Sequence, residues 1–288
     1  MSDTIGIAGA GRMGSAFARR LMEAGREVRI WNRSPGRCAA AVSVGAGQAA
    51  DLVDLARCDI LLLSLTDAAA VNEVTEQLLQ AGVAGKLVID LSTLLPADSE
   101  ATAARLTAGG ADFVDCPVGG TVAPALKGQL LGMAGGTEAA VARARPVLDL
   151  LCRRVEHLGP AGAGSRMKLA LNLPLALYWQ ALGEALALLR GSGIAPETAI
   201  SLMADSSAGP TVLRNRAQVV LDTLAGTDQP GTFDIAGLAK DLRLALALGQ
   251  AEGLDLPVSR TTEERYAAAL SEGLGSFDGA SLSRRAAG

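Results

Sequence analysis

The chain has 288 residues, a length that suggests one large domain or two of ordinary size, and 49% of them are hydrophobic, which is enough for a sizeable core. The formal net charge of −4 shows no basic excess, so we expect no nucleic-acid partner, and the single histidine, His157, excludes a multi-histidine metal site. Because no segment offers about 18 uninterrupted apolar residues and the start of the sequence does not resemble a signal peptide, we expect a cytoplasmic protein without membrane contact that keeps its four cysteines as thiols.

The first predicted elements are a strand, a helix and a second strand. Thr4–Ala8 is a short apolar stretch typical of a buried strand, Ser15–Ala24 has a helical pattern, and Glu27–Trp31 alternates as a strand does. Gly25 separates the helix from the second strand. This order predicts a βαβ unit at the start of the chain.

The turn between the first strand and the helix has the G-x-G-x-x-G pattern of dinucleotide-binding sites, in Gly9-Ala10-Gly11-Arg12-Met13-Gly14. Gly9 permits the tight turn, Gly11 lets a pyrophosphate approach the backbone, and Gly14 lets the helix pack on the strand. The pattern alone is weak, but its place between a strand and a helix is the one that this function requires. We therefore expect these six residues to bind a dinucleotide.

The second strand ends in Asn32-Arg33-Ser34, which bears on the choice of nucleotide. NAD-specific sites usually place Asp or Glu about 20 residues after the glycines to bind the ribose hydroxyls. A carboxylate would repel a 2′-phosphate, whereas Arg33 can pair with it and Asn32 and Ser34 can donate hydrogen bonds. The three residues therefore predict a preference for NADPH over NADH, with a solvated surface arginine as the alternative interpretation of Arg33.

Strands and helices continue to alternate up to Gly159. Further strands are predicted at Asp59–Leu65, Lys86–Leu91, Phe113–Pro117, Gly128–Ala134 and Val155–Leu158, with a helix at Ala68–Gln80. Leu65-Thr66 and Ser92-Thr93 fall at strand ends, on the carboxyl edge where a doubly wound sheet holds its ligand.

The second half of the chain is helical in pattern. A glycine-rich stretch at 159–165 precedes a long predicted helix from Arg166 to about Arg190, which Pro174 should kink because it removes a backbone hydrogen bond. The expected fold is α/β, with an N-terminal Rossmann domain, a long connecting helix and an all-α C-terminal domain, at residues 1–163, 164–193 and 194–288. Because the last domain is small and rich in Ala and Leu, we expect a homodimer.

Four separated segments resemble one family, the β-hydroxyacid dehydrogenases, which include 3-hydroxyisobutyrate dehydrogenase and glyoxylate or succinic semialdehyde reductases. The segments, in chain order, are Gly6–Gly14, Asp115–Thr121 with Gly128–Leu130 and Gly135-Gly136, Gly162–Asn172, and Phe233 with Leu238–Leu242. They cover almost the whole chain in the family's order and spacing. The resemblance implies hydride transfer between a nicotinamide nucleotide and the carbonyl of a small β-hydroxyacid or aldehyde acid.

The resemblance also implies catalytic residues. Lys168 would give a proton to the carbonyl oxygen and stabilise the developing alkoxide, and Asn172, one helical turn later, can meet the same oxygen. The alternative for Lys168 is a lysine on an exposed helix face. A second asparagine that often follows Asn172 in the family is replaced here by Leu173-Pro174, which leaves the substrate open.

Substrate and cofactor contacts follow from the same resemblance. The backbone amides of Gly119, Gly120 and Thr121 would bind the substrate's anionic group, although the family usually has Ser-Gly-Gly in this loop. Further cofactor contacts are implied on the adenosine side, near the nicotinamide and from the helical half, at Leu65 and Thr66, at Thr93, and at Lys240. The alternative for Lys240 is an exposed helix residue paired with Asp241 or a neighbour.

Two alternative functions remain open at this point. Val28–Ser34 and Leu65–Val71 resemble the related imine reductases, so the chain could be an NADPH-dependent imine reductase. Those enzymes usually have Asp or Tyr at the position of Lys168, and an iminium substrate would meet an unhelpful positive charge there. The second alternative is a non-catalytic NADPH-binding regulator, which the presence of both Lys168 and Asn172 disfavours.

Overall fold

The computed structural model describes residues 3–288. The chain divides into two compact units, Met1–Lys168 and Leu169–Gly288. The three-part division predicted from the sequence, with bounds near 163 and 193, stays a prediction.

Nine strands of the first unit form one sheet. They are β1 (Ile5–Ala8), β2 (Val28–Trp31), β3 (Gly47–Gln48), β4 (Ile60–Leu63), β5 (Leu87–Asp90), β6 (Asp112–Asp115), β7 (Val118–Gly119), β8 (Leu130–Gly136) and β9 (Cys152–Gly159). The helices of this unit are α1 (Arg12–Glu23), α2 (Ala39–Val42), α3 (Leu52–Leu55), α4 (Ala68–Ala81), α5 (Pro96–Ala108), α6 (Val122–Leu126) and α7 (Glu138–Leu151).

The sheet has the strand order of a doubly wound fold. The order is β3-β2-β1-β4-β5-β6-β8-β7, with β9 paired to β8. The pairings from β3 to β6 are all parallel, and β8 runs antiparallel to β6 and β7. The order reverses at β1, which pairs with β2 on one side and β4 on the other. Ligands of such sheets bind at this switch point, beyond the carboxyl ends of the strands.

The central strands are buried on both faces, which explains why they are short continuous apolar runs. All four residues of β1, β4 and β5 are buried. Alternate side chains face opposite layers: Leu62 packs in one core with Phe17 of α1, and Leu61 packs in the other with Leu78 of α4. Because successive side chains of a strand point to opposite faces of the sheet, one face packs against α1 and the other against α4.

Helix α1 begins earlier than predicted, at Arg12 and not at Ser15. Gly11 occupies its N-cap position with extended backbone, and the Ser15 amide donates to the Gly11 carbonyl at 3.0 Å. The glycine turn thus leads directly into the first helical turn. The backbone amides of Arg12, Met13 and Gly14 belong to the helix N-terminus, where the helix dipole favours an anion.

The second unit is built from helices. They are α9 (Pro196–Asp205), α10 (Thr211–Leu224), α11 (Ile235–Ala251), α12 (Pro257–Ser271) and α13 (Ala280–Ala287), and they follow α8 (Ala163–Ala187), within which the boundary between the units falls. Helix α8 continues through Pro174, and it begins and ends three residues before its predicted bounds. Tyr266 is buried in this core and donates to the Ala176 carbonyl at 2.9 Å. An N-terminal Rossmann domain and an all-α C-terminal domain are thereby confirmed.

Within residues 3–288, no helix is both long and apolar enough to cross a membrane.

Candidate functional site

The glycine turn after β1 packs too closely for side chains at two of its three glycines. Gly9 has a φ of +111°, and a Cβ there would lie 2.2 Å from the Ser64 carbonyl oxygen. A Cβ on Gly14 would lie 1.8 Å from the Gly9 carbonyl oxygen. These two glycines are required by the protein's own packing, of strand against strand and of helix against turn.

Gly11 differs from the other two because a Cβ there would meet no atom within 4 Å. Its missing side chain leaves open a cleft of about 200 Å³ at the carboxyl edge of the sheet. The predicted cofactor residues that line this cleft are Gly9, Gly11, Asn32, Arg33, Ser34, Leu65 and Thr66, and they are joined by Trp31, Arg37, Ser64, Ala70, Glu73 and Val74. An open backbone beside a helix N-terminus suits a pyrophosphate, so the residues present fit a dinucleotide.

Asn32 ties the end of β2 to the glycine turn. Its Oδ1 accepts the Ala10 amide at 3.0 Å, and its Nδ2 donates to the Ser34 carbonyl at 3.1 Å. The side chain therefore orients the turn and the strand end toward each other, a use that the sequence did not reveal.

The charged part of the cleft holds two arginines and one glutamate. Arg33 and Arg37 line it with Glu73, and the Arg33 Nη1 lies 3.8 Å from the Glu73 Oε2. Arg33 is 81% exposed, so its guanidinium is available to an incoming anion. Arg37 was missed from the sequence, although a second basic residue soon after Arg33 was a usable signal.

The ends of β4 and β5 are held together beside this cleft. The Leu65 amide donates to the Ser92 Oγ at 3.0 Å, and the Ser92 amide donates to the Asp90 Oδ1 at 2.9 Å. Asp67 caps α4 by accepting the Ala70 amide, and it also accepts the Thr66 hydroxyl at 3.0 Å. Thr93 follows Ser92 after β5, is half-buried, and lies outside the residues that line the cleft.

Asp115 anchors the helix that bears Lys168. Its side chain is 1% exposed, and its two oxygens accept the Gly162 and Ser165 amides at 2.8 Å each. Burial raises the pKa of this carboxyl, and these hydrogen bonds oppose that rise. A Cβ on Gly164 would lie 2.1 Å from the Met133 carbonyl oxygen, so the first turn of α8 is pressed against β8.

Lys168 lies one turn further along α8 and is buried, with 8% of its surface exposed. Its Nζ donates to the Val118 carbonyl oxygen at 2.9 Å. Val118 stands three residues after Asp115, so one short segment of the chain holds both the start of α8 and the lysine amine. Because Lys168 is buried, the alternative of a lysine on an exposed helix face is wrong. Burying an amine costs free energy unless it has polar partners, and the Val118 carbonyl is one such partner.

The predicted substrate residues follow directly after this carbonyl. Gly119 ends β7 opposite Leu131, and Gly120 has a φ of +122° with its absent Cβ 2.7 Å from the Leu130 Cδ2. Thr121 is half-buried at the start of α6. A Cβ on Gly119 would lie 3.5 Å from the Leu131 Cβ, an ordinary contact, so packing against Leu131 does not require a glycine at this position.

The two predicted site residues of the second unit are joined through an aspartate. The Asn172 Nδ2 donates to the Asp241 Oδ2 at 2.6 Å, and both side chains are buried. The Lys240 Nζ lies 3.4 Å from the Asp241 Oδ1. The contact between Lys240 and Asp241 is the one that the alternative interpretation of Lys240 expects. No local pattern marks Asp241 as the partner of Asn172.

Comparisons with known proteins agree with this architecture. Residues 4–159 match the family described as the NAD binding domain of 6-phosphogluconate dehydrogenase. Residues 162–285 match the family described as NAD-binding of NADP-dependent 3-hydroxyisobutyrate dehydrogenase. The fold and the two matched families define the class: the chain is an oxidoreductase that depends on a pyridine nucleotide.

Individual relatives narrow the class. Glyoxylate/succinic semialdehyde reductase 1 of Arabidopsis thaliana is 30% identical over 95% of both chains, and 3-hydroxyisobutyrate dehydrogenase of Pseudomonas aeruginosa is 33% identical over 88% of both. The structure of 3-hydroxyisobutyrate dehydrogenase from Mycobacterium tuberculosis, solved with L-serine, is 26% identical and superposes with a TM-score of 0.89 over 99% of both chains. The chain belongs to the β-hydroxyacid dehydrogenase family, as its four motifs predicted.

Proposed function

We propose that this enzyme transfers hydride between NADPH and the carbonyl carbon of a small β-hydroxyacid or aldehyde acid, with Lys168 as the proton donor and acceptor. The buried Lys168 amine, held by the Val118 carbonyl immediately before the glycine loop, is the observation that supports this most directly. An amine in such a place is fixed in direction, and a general acid has to be positioned within hydrogen-bond reach of the group that it protonates.

The chemistry assigns a task to each group. The bound nicotinamide nucleotide supplies or accepts the hydride. Lys168 gives its proton to the carbonyl oxygen during reduction and takes it back during oxidation, and its positive charge stabilises the alkoxide as it develops. Asn172, one turn later on α8, donates to the same oxygen, and its bond to Asp241 fixes the amide orientation.

Substrate binding falls to the loop after β7. The backbone amides of Gly119, Gly120 and Thr121 are the donors that we assign to the substrate's carboxylate. Thr93 and Lys240 are assigned to the nicotinamide end of the cofactor by family resemblance. Relatives named as reductases of glyoxylate and succinic semialdehyde make small aldehyde acids the first compounds to test.

The preference for NADPH rests on charge. Arg33 and Arg37 line the cleft at the end of β2, where a 2′-phosphate would need cationic partners. No acidic side chain takes the place at the end of β2 that NAD-specific sites reserve for one. Glycine-turn residues from Gly9 to Gly14 are assigned to the pyrophosphate.

A substrate panel tests the reaction class. NADPH and NADH oxidation are followed at 340 nm with glyoxylate, succinic semialdehyde and a cyclic imine. We expect turnover with an aldehyde acid, faster with NADPH. The alternative is an imine reductase, favoured by the Trp31-Asn32-Arg33-Ser34 strand end that resembles those enzymes. Turnover of the imine alone would overturn the proposal and establish the alternative.

We propose in addition that the enzyme is a cytoplasmic homodimer. Leu188, Leu202, Leu254 and Val258 of the second unit are all more than half exposed, and we propose that a second copy of the chain covers them. The four cysteines are free thiols, as a reducing compartment would keep them. Sedimentation analysis at micromolar concentration is expected to give twice the mass of the chain.

A further inference from the structure

The cleft that we assign to the 2′-phosphate also holds a carboxylate, from Glu73 of α4. Ala70, Glu73 and Val74 line the cleft from one face of that helix, as residues three and four apart do. Val74 is 4% exposed, so it seats the helix face in the core beneath. Glu73 is thereby presented to the cleft by the packing of its helix.

The nearest cation to this carboxylate is the residue expected to bind the phosphate. The Glu73 Oε2 lies 3.8 Å from the Arg33 Nη1, and both side chains are more than half exposed. Arg37 is the other cation that lines the cleft. The Arg33 guanidinium therefore has a carboxylate partner within the cleft itself.

A 2′-phosphate and Glu73 must then share or contest one guanidinium. Each carries negative charge, so they repel each other, and the phosphate also has to displace or stretch the existing ion pair. An adenosine ribose that bears a free 2′-hydroxyl meets neither obstacle, and a carboxylate can accept a hydrogen bond from it. Both effects lower the affinity of the site for NADPH relative to its affinity for NADH.

We propose that Glu73 is a specificity-determining residue that lowers the selectivity of this site for NADPH over NADH. The proposal rests on the proposed NADPH preference and refines it: Arg33 and Arg37 favour the 2′-phosphate, and Glu73 limits how far. Water screens exposed charges, so the effect is severalfold and not orders of magnitude. The enzyme consequently retains measurable affinity for NADH.

The test compares Glu73→Gln with a matched control, Glu76→Gln. Glu76 stands on the same helix and bears the same charge, but its Oε2 pairs with the Arg105 Nη2 at 2.7 Å and it does not line the cleft. Binding of adenosine 2′,5′-bisphosphate and of adenosine 5′-monophosphate is measured by calorimetry in low salt. These probes report on the nucleotide site without requiring turnover.

Glu73→Gln is expected to bind the bisphosphate about threefold to tenfold more tightly, with the monophosphate unchanged within about twofold. Glu76→Gln should leave both affinities unchanged, and the gain should shrink at high salt, where exposed charges are screened. An unchanged ratio of the two affinities in Glu73→Gln, or an equal gain in Glu76→Gln, would overturn the proposal.

Failure here is separable from failure of the cofactor preference itself. If Arg33→Glu weakens the bisphosphate selectively while Glu73→Gln changes nothing, the NADPH preference stands and the role of Glu73 is wrong. If Arg33→Glu weakens both probes equally, Arg33 does not bind the 2′-phosphate, and the preference and the role of Glu73 fail together.

Discussion

The two compact units hold their functional groups in different ways. In the first unit, the nucleotide-binding groups are placed mainly by the backbone: Gly9 and Gly14 in a turn too tight for side chains, and Arg33 just past a strand end. In the second unit, Asn172 and Lys240 lie within helices and are held by another side chain, Asp241. A site set by backbone geometry leaves a spacing pattern in the sequence, whereas one set by a side-chain partner does not.

The largest effect on nucleotide binding is expected from reversing the charge at the end of β2. Arg33→Glu replaces the proposed phosphate partner with a repelling carboxylate, which should weaken NADPH binding by about 100-fold, or about 2.7 kcal/mol. NADH binding should change little, because it lacks the 2′-phosphate. Fluorescence titration with each nucleotide measures the effect, and an equal loss for both would refute the assignment.

A smaller effect on nucleotide binding is expected from a substitution at Gly11. Gly11→Ala adds a methyl group that meets no protein atom, so the fold should persist, but the methyl group points at the proposed pyrophosphate position. We expect nucleotide binding to weaken by about 2 kcal/mol, roughly thirtyfold, for NADPH and NADH alike. Gly36→Ala is the matched control, since a Cβ there also meets nothing within 4 Å. Unchanged nucleotide binding in Gly11→Ala would show that the turn does not approach the pyrophosphate.

The contrast between backbone geometry and side-chain partners explains which features of the fold and the site could be predicted from the sequence. The alternation of strands and helices, the glycine turn and the membership of the family were predictable because strand period, turn geometry and motif spacing are local properties. The anchoring of α8 by Asp115 and the pairing of Asn172 with Asp241 join residues far apart in the chain, and nothing near either residue announces its partner. The exact start of α1 was also missed, because glycine can serve as an N-cap without a side-chain signal.

In the second unit, Asp241→Asn tests how much the enzyme's activity depends on the side-chain partner that holds Asn172. The change keeps the shape but removes the charge that accepts the Asn172 amide, and a hydrogen bond to a charged group contributes about 1.5 to 3 kcal/mol. We expect turnover to fall by about tenfold, with NADPH binding reduced less. Asp255→Asn is the control, because that exposed aspartate pairs only with Arg260 at the surface among the contacts described. Full activity in Asp241→Asn would mean that Asn172 needs no fixed orientation.

The smallest effect is expected from thiol modification, which reports on the first unit alone because Cys38, Cys58, Cys116 and Cys152 all lie there. Burial raises the pKa of the Cys152 thiol to about 12 and also raises the pKa of Cys116. At pH 8 the Cys152 thiol is therefore almost entirely protonated, whereas the thiolate is the form that reacts. Iodoacetamide should leave both thiols unmodified in the folded protein and label them in urea, as mass spectrometry would show. Rapid labelling without urea would mean that this unit opens readily.

The central claim is that Lys168 moves the proton. The direct measurement is turnover of an aldehyde acid by Lys168→Ala, with NADPH binding measured on the same preparation and Lys127→Ala, an exposed lysine of the same unit, as the control. We predict that Lys168→Ala binds NADPH within about twofold of the original affinity but loses about 100-fold to 10,000-fold in turnover, the contribution typical of a general acid. Turnover that survives unchanged in Lys168→Ala would contradict the account.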